Sequence, residues 1–231
     1  MGFDIQKFLA EVSVWAAPIL LAVTLHEAAH GWVASKLGDN TAKDMGRVTF
    51  NPLKHIDLFG TIILPTMLLL ASGGKYMFGF AKPVPVNFHN LNRPRIDMIL
   101  VAGAGPGINF VIAIIAALSL HIAHFLPQSY LSFAVLNLTN AMWVNIVFGV
   151  FNLMPLPPLD GGRIAVAVLP KPFSNWLSSL ERSGFLIIIA VLFLLPWVGE
   201  KLGTQINVLW WLIGVPAKFV LDVIVVLTGL K

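Results

Sequence analysis

Cysteine is absent from all 231 residues, which excludes disulfide frameworks, thiolate zinc sites and cysteine nucleophiles. Charge is scarce as well. Asp, Glu, Lys and Arg together make up 11% of the chain, against about 25% in soluble globular domains. That is too little to coat a soluble domain of this size. It excludes a disordered chain, an ordinary cytosolic enzyme and a nucleic-acid binder. The 15 Lys and Arg outnumber the 11 Asp and Glu only enough to give +4, which is no polyanion-binding surface. What fills the chain is apolar: 57% hydrophobic residues and a mean hydropathy of +0.83. The composition is that of a polytopic membrane protein whose solvent is the lipid bilayer.

The first thirteen residues carry two acids and one Lys before the apolar run, with no small-residue cleavage site. No removable signal peptide is expected, and insertion starts with the first span. A spanning helix needs about 20 predominantly apolar residues. Residues 8–37, 96–126, 133–154, 180–198 and 206–230 meet that requirement. Residues 61–71 (TIILPTMLLLA) are apolar but short and interrupted by Pro65, and the Gly- and Pro-rich stretch after them favours extended or turning backbone. The expected fold is therefore an all-α polytopic membrane protein of about five to six transmembrane helices, with a re-entrant, β-hairpin-like segment between the first two full spans. No repeat or linker is visible, so residues 1–231 read as one membrane-embedded domain, with a core at 8–165 and C-terminal helices at 180–230.

Basic residues favour the cytoplasmic side. If 61–71 dips in and returns, Lys36, Lys43, Arg47, Lys54, Lys75, Lys82, Arg93 and Arg95 share one side, and the parity of five spans adds Arg163, Lys171, Arg182 and Lys231. Lys7 and Lys201 remain opposite. If the segment spans instead, the asymmetry collapses, so re-entrance with the N-terminus outside is expected.

The first span contains Leu25-His26-Glu27-Ala28-Ala29-His30. Positions i and i+4 share a helix face, so His26 and His30 can aim at one point, while Glu27 can reach a water there without occupying the metal. Short motifs recur by chance, and a self-satisfied polar cluster between helices is the bland alternative. However, ionisable groups inside a membrane are functional candidates by default, and polar packing glue is normally Ser, Thr, Asn or Gln. A catalytic zinc needs a third protein ligand. Asp160 offers itself from Asn152-Leu153-Met154-Pro155-Leu156-Pro157-Pro158-Leu159-Asp160-Gly161-Gly162, where three prolines in four residues break the helix. Taken alone, Asp160 reads as a surface-turn residue capping the next helix in preference to a metal ligand; paired with the first-span motif, the preference reverses. Asp57 is the competitor, because its neighbourhood can fold back toward the first span.

HEAAH in a first span, AGAGPGIN at 102–109 and NLMPLPPLDGG at 152–162 resemble the site-2 protease family of intramembrane zinc metalloproteases. RVTFNPLKHID at 47–57 and GFAKPVPVN at 79–87 are further similar to its short bacterial and archaeal members. The resemblance covers roughly residues 20–164. It implies that His26, His30 and Asp160 bind one zinc ion per chain, that Glu27 is the general base, and that Asn152 contacts substrate or the developing oxyanion. It also implies membrane-protein or peptide substrates, a prokaryotic cell membrane and an active site toward the cytoplasm. These 231 residues hold no insert large enough for a PDZ domain and no CBS pair, so modes of delivery that depend on such modules do not carry over.

Other polar residues have plainer readings. Asn137, Asn140 and Asn145 suit interhelical hydrogen bonding. Gly103, Gly105 and Gly107 suit close helix approach. Lys218 and Asp222 suit mutual neutralisation, and His121 and His124 an interfacial position. His55 and Asp57 either line the active-site cavity or form a satisfied pair. An edge strand at 78–87 is expected to hold an unwound peptide by β-addition. Two readings from other classes stand beside the peptidase: a divalent-cation transporter, and a catalytically inactive scaffold. The first lacks an inverted repeat; the second has no need of Glu27. Nothing in the sequence fixes the oligomeric state.

Overall fold

The computed structural model describes residues 5–71, 79–201, 203 and 207–230. Within them the fold is helical and no strand is formed. Helix α1 covers Ile5–Lys36 and, at 32 residues, is ~48 Å long, enough to cross the ~30 Å hydrocarbon core with turns to spare. A short α2 (Thr41–Asp44) and a 3₁₀ turn at Pro52–His55 follow. A π-helical stretch, Leu58–Ile63, then runs without a break into α3 (Leu64–Ala71). Helices α4 (Pro94–Ala123) and α5 (Gln128–Asn152) come next, then the shorter α6 (Asp160–Val168) and α7 (Lys171–Ser179). The C-terminal part contains α8 (Glu181–Ile189), a π-helical stretch, α9 (Leu195–Lys201), a π-helical turn at Trp210–Gly214, and α10 (Val215–Thr228).

Four described helices are long and apolar enough to cross a membrane: Ala10–Lys36, Pro94–Ala123, Gln128–Asn152 and Trp210–Thr228. The expected span at 180–198 is a helical run but is not one of the four. The last span also runs opposite to the direction that five-span parity gives it. Leu209 packs against the Leu159 and Ile188 cluster, as do Phe151, Met154 and Leu156, near the end of α5 that leads to Asp160. At the other end, Thr228 offers its carbonyl to His121 Nε2 at 2.8 Å, near the C-terminus of α4. Thr228 therefore lies at the opposite end of the bundle from Lys36, since Leu37 and Asn92 join the end of α1 to the start of α4 (N···O 2.9 Å). Counting apolar residues registers a helix but not its direction. Lys231, like Lys75 after the expected re-entrant segment, lies outside the described residues.

The continuous helix over residues 58–71 is ~21 Å long, short of the hydrocarbon thickness. The described return, residues 79–87, is extended chain but pairs with no strand, so the hairpin-like expectation is met only by its extended backbone.

Helices α1, α4 and α5 pack on one another as a three-helix core, with α10 against α4 and α5. The buried face of α4 is Ala102, Gly105, Asn109, Ala113, Ala116 and Ala117, at spacings of three and four. Small residues let the backbones approach closely where lipid supplies no hydrophobic drive. Of the three glycines expected to serve this, only Gly105 does; nothing lies within 4 Å of a Cβ added at Gly103 or Gly107. Asn140 donates to the Val14 carbonyl across helices at 3.1 Å, whereas Asn137 donates within its own helix to Phe133. Lys218 and Asp222 pair at 3.1 Å.

One carboxylate ties the site-bearing end together. Asp39, fully buried after α1, accepts from the backbone and hydroxyl of Thr41, the Asn90 amide (3.1 Å) and the Asn87 N–H (2.7 Å). Burial disfavours its charge, but these donors outweigh burial and hold its carboxyl below the ordinary range. Asp39→Ala leaves buried donors unpaired, at roughly 1–3 kcal/mol for each one not rehydrated. Thermal unfolding in detergent should show that loss. A depressed folded pKa contributes stability that is complete above the unfolded value near ~4 and fades as pH falls through the folded value. The wild-type midpoint should accordingly drop over that acid window, and the slope should be shallower in Asp39→Asn.

Candidate metal centre

His26 and His30 lie one turn apart on α1, both almost fully buried, and their rings meet edge-on with centroids 4.6 Å apart. Each ring is fixed through its Nδ1. His26 Nδ1 stands 2.7 Å from Asn109 Oδ1, and His30 Nδ1 stands 2.7 Å from the Val101 carbonyl. Both partners are acceptors, so each Nδ1 carries the proton and each Nε2 is left with its lone pair. The Asn109 amide is itself oriented: its nitrogen donates to Ala22 O (3.2 Å) and to Asn145 Oδ1 (2.7 Å), and the Asn145 nitrogen donates to Ala141 O (2.8 Å). A relay across α1, α4 and α5 thus sets the tautomer of His26.

The two Nε2 atoms lie 3.0 Å apart and converge on Asp160 Oδ2, at 3.2 Å from His26 and 3.3 Å from His30. With both imidazole protons committed elsewhere, nothing in this triangle supplies a hydrogen, and Asp160 Oδ2 is buried without a hydrogen-bond partner. Three lone pairs facing one another in a buried site are repulsive until a cation sits among them. Ligands at ~2.0–2.2 Å from a tetrahedral zinc are separated from each other by about 3.3 Å, which matches the three observed separations. The donor set fits zinc, and His26, His30 and Asp160 are the only such His and carboxylate group among the described residues.

Local sequence explains how Asp160 gets there. The chain leaves α5 at Leu153, and α6 begins at Asp160 itself. A Cβ on Gly161 would collide with the carbonyls of Leu153 and Met154, and one on Gly162 with the backbone at Leu156 and Pro157, so the two glycines let backbone pack on backbone. From α4, Gly105 lies against the metal triangle: a Cβ there would come within 2.5 Å of His30 Nε2 and 2.6 Å of His26 Nε2. Asp160 makes no side-chain cap, contrary to the turn reading. Asp57 does cap: its Oδ1 accepts from Gly60 N at 2.7 Å, starting the π-helical stretch, and Asp57 is not part of the His26, His30 and Asp160 group.

Glu27 and Asn152 face the same cavity as the triangle, a space of about 640 Å³ with mostly apolar walls. This lies within the range usual for small-ligand sites. Glu27 Oε2 accepts from the Val84 N–H at 2.6 Å. The Asn152 amide nitrogen donates to Phe148 O one turn back at 3.0 Å, which leaves Oδ1 as its cavity-facing acceptor. The extended segment is less open to β-addition than expected. Its Phe80, Lys82 and Val84 N–H groups donate to Gly60 O, His55 O and Glu27, and Pro83 and Pro85 have no N–H to offer. Sequence reasoning expected close approach at Gly105 but not its place against the histidines, and it assigned no role to Asn109 or Val84. A polar amide within an apolar span was the available signal for Asn109; Gly105 and Val84 act through backbone proximity, which composition does not register.

A model of Peptidase family M50 matches residues 14–135 and 119–196. The "Putative zinc metalloprotease YwhC" of Bacillus subtilis (strain 168) is 38% identical over 193 residues, covering 82% of this chain and 84% of its own. The "Putative zinc metalloprotease Rip2" of Mycolicibacterium smegmatis is 28% identical, covering 80% of this chain and 67% of its own. The "Zinc metalloprotease MJ0392" of Methanocaldococcus jannaschii is 26% identical, covering 69% of this chain and 36% of its own. No solved structure matches the chain.

The geometry separates the two candidate acids. Asp160→Asn replaces an anionic donor with a neutral amide, so zinc per chain, measured by elemental analysis after mild chelation, should fall well below wild type. Asp57→Asn should retain wild-type zinc. The reverse pattern would assign the third ligand to Asp57.

Proposed function

The chain belongs to peptidase family M50, the site-2 protease family, and on that premise we propose that it hydrolyses peptide bonds within or next to the transmembrane segments of other membrane proteins. One observation carries the reading. Two histidines with fixed tautomers and one carboxylate converge on a single point, and an uncommitted glutamate oxygen faces the same cavity. Three protein ligands leave the fourth position of a tetrahedral ion free, which distinguishes a catalytic zinc from a structural one.

His26, His30 and Asp160 would hold the zinc. When bound, the ion supplies Lewis-acid polarisation of the scissile carbonyl and the attacking water. Glu27 follows His26 directly on α1 and is not among the three groups that would hold the ion. Its Oε2 is steadied by the Val84 N–H, and its other oxygen takes the proton of the attacking water and then passes it to the departing amine. Asn152, one turn beyond Phe148 on the cavity wall, orients the peptide at the reacting carbonyl. The largely apolar walls exclude bulk water, which strengthens each of these interactions. A substrate helix hides its amides in i→i−4 bonds, so it unwinds to reach the site.

The active site faces the cytoplasm in this reading. Lys36, Lys54, Arg93, Arg95 and Arg163 belong to segments gathered at the end of the bundle that carries Asp160, and basic residues mark the cytoplasmic side.

Two experiments test these statements. Glu27→Gln should keep its zinc and its thermal midpoint while cleavage of a model transmembrane substrate drops by about 10²–10⁴-fold; brisk cleavage by a zinc-loaded mutant removes Glu27 as the base. Single cysteines at Lys36, Lys54 and Arg93 should label only from the cytoplasmic side, and cysteines at Leu126 and Gly229 only from outside, with no native thiol as background. Labelling of the first group from outside would invert the orientation.

A further inference from the structure

We propose that His55 is a substrate-positioning residue that accepts a hydrogen bond from a backbone N–H of the unwound peptide; this rests on the peptidase reading above. His55 ends the Pro52–His55 turn and is 3% exposed, yet it is one of the residues lining the cavity that holds Glu27, Asn152 and the metal triangle. Its tautomer is set as firmly as those of the metal ligands. Nε2 lies 3.1 Å from the Thr49 carbonyl, an acceptor, so Nε2 carries the proton and Nδ1 keeps its lone pair. That Nδ1 is buried and has no hydrogen-bond partner. An unpaired acceptor in such a site is costly, and each one calls for an explanation.

The backbone of His55 is pinned beside Glu27. Lys82 N–H donates to the His55 carbonyl at 2.9 Å and Val84 N–H donates to Glu27 at 2.6 Å. Positions two apart in extended chain point to the same edge, about 6.6–6.8 Å apart. One edge of residues 79–87 therefore carries both the base and His55. Among the side chains of the cavity's lining residues the Glu27 carboxylate, the Asn152 Oδ1 and the His55 Nδ1 accept, while Arg163 donates. A peptide unwound for hydrolysis supplies the missing partners, because leaving the helix frees the N–H donors that its own carbonyls had held. Asp57, two residues on, is committed to capping and takes no part.

The test separates the two ring nitrogens. In His55→Gln the amide nitrogen replaces Nε2 and can still donate to Thr49 O, but the acceptor at the δ position is gone. In His55→Asn the side-chain oxygen replaces Nδ1. Both are made in zinc-loaded, full-length Glu27→Gln protein, so that binding is read without turnover. The probe is a fluorescein-labelled synthetic transmembrane peptide with Gly-Gly at its centre. His55→Gln should unfold at the same temperature as its parent and bind about three- to tenfold more weakly, the worth of one neutral hydrogen bond. His55→Asn should recover most of that loss. Replacing the peptide's central amides one at a time by esters, which removes N–H, should reveal one position whose loss weakens binding to the parent but not to His55→Gln. Parent-like binding by His55→Gln, or equal ester losses in both proteins, overturns the proposal. Binding in the expected pattern by a chain that never cleaves with Glu27 intact would remove the peptidase reading and leave His55 its role.

Discussion

Two imidazoles and a carboxylate turn their lone pairs on one another at 3.0–3.3 Å inside a helical bundle, and much of the surrounding fold follows from making that arrangement tolerable. Neutral imidazoles could relieve it by moving a proton to Nε2, but then Nδ1 would face the Asn109 oxygen or the Val101 carbonyl with no hydrogen between them. The Asn109–Asn145 relay closes off that escape for His26, since the second amide in turn is anchored to the carbonyl of Ala141. A metal ion among the three lone pairs resolves the frustration, as does a proton gained at one Nε2. Interactions that orient metal ligands from behind tune the metal as much as the ligands themselves. Here those groups are two asparagines and one main-chain carbonyl, all within the membrane-spanning helices.

Close backbone approach is the second requirement, and glycine meets it. Gly105 brings α4 onto the imidazole edges, while Gly161 and Gly162 bring the start of α6 onto the broken end of α5. The Asp160 carboxylate reaches the histidines because the start of α6 packs backbone on backbone against the broken end of α5, while Gly105 leaves room on α4 for the two imidazoles. Arg95, from α4, secures the other end of α6 by donating to the carbonyls of Ala167 (2.5 Å) and Leu169 (2.6 Å). The short helix that presents Asp160 is thus held at both ends.

The extended segment at 79–87 joins the metal-bearing core to the turns after α1. Its amides hold Glu27, His55 and Gly60, its Asn87 N–H meets Asp39, and Arg47 grips it from outside through the carbonyls of Lys82 (2.9 Å) and Pro83 (3.4 Å). Pro83 and Pro85 leave it no N–H groups at those positions and keep it extended. With the N–H groups of Phe80, Lys82, Val84 and Asn87 engaged, the segment is a scaffold for Glu27 and the cavity wall before it is a docking edge for another chain.

The sequence by itself determined the solvent, the class and the chemistry. Sparse charge and long apolar runs require a membrane, and His26, Glu27 and His30 share a helix turn by the period of the helix alone. Asp160 was legible as the likeliest partner only through a proline-broken chain and a family resemblance. Tertiary structure decided what depends on distances between residues far apart in the chain. It set Asp57 to capping and Asp160 to the triangle, gave Asn109 and Asn145 their relay, and ran the last span toward His121, so that residues 180–198 are not among the four helices fitted to cross. Periodicity and hydropathy are properties of neighbours in sequence, whereas tautomers, third ligands and the direction of a span are fixed by which backbone atoms arrive alongside.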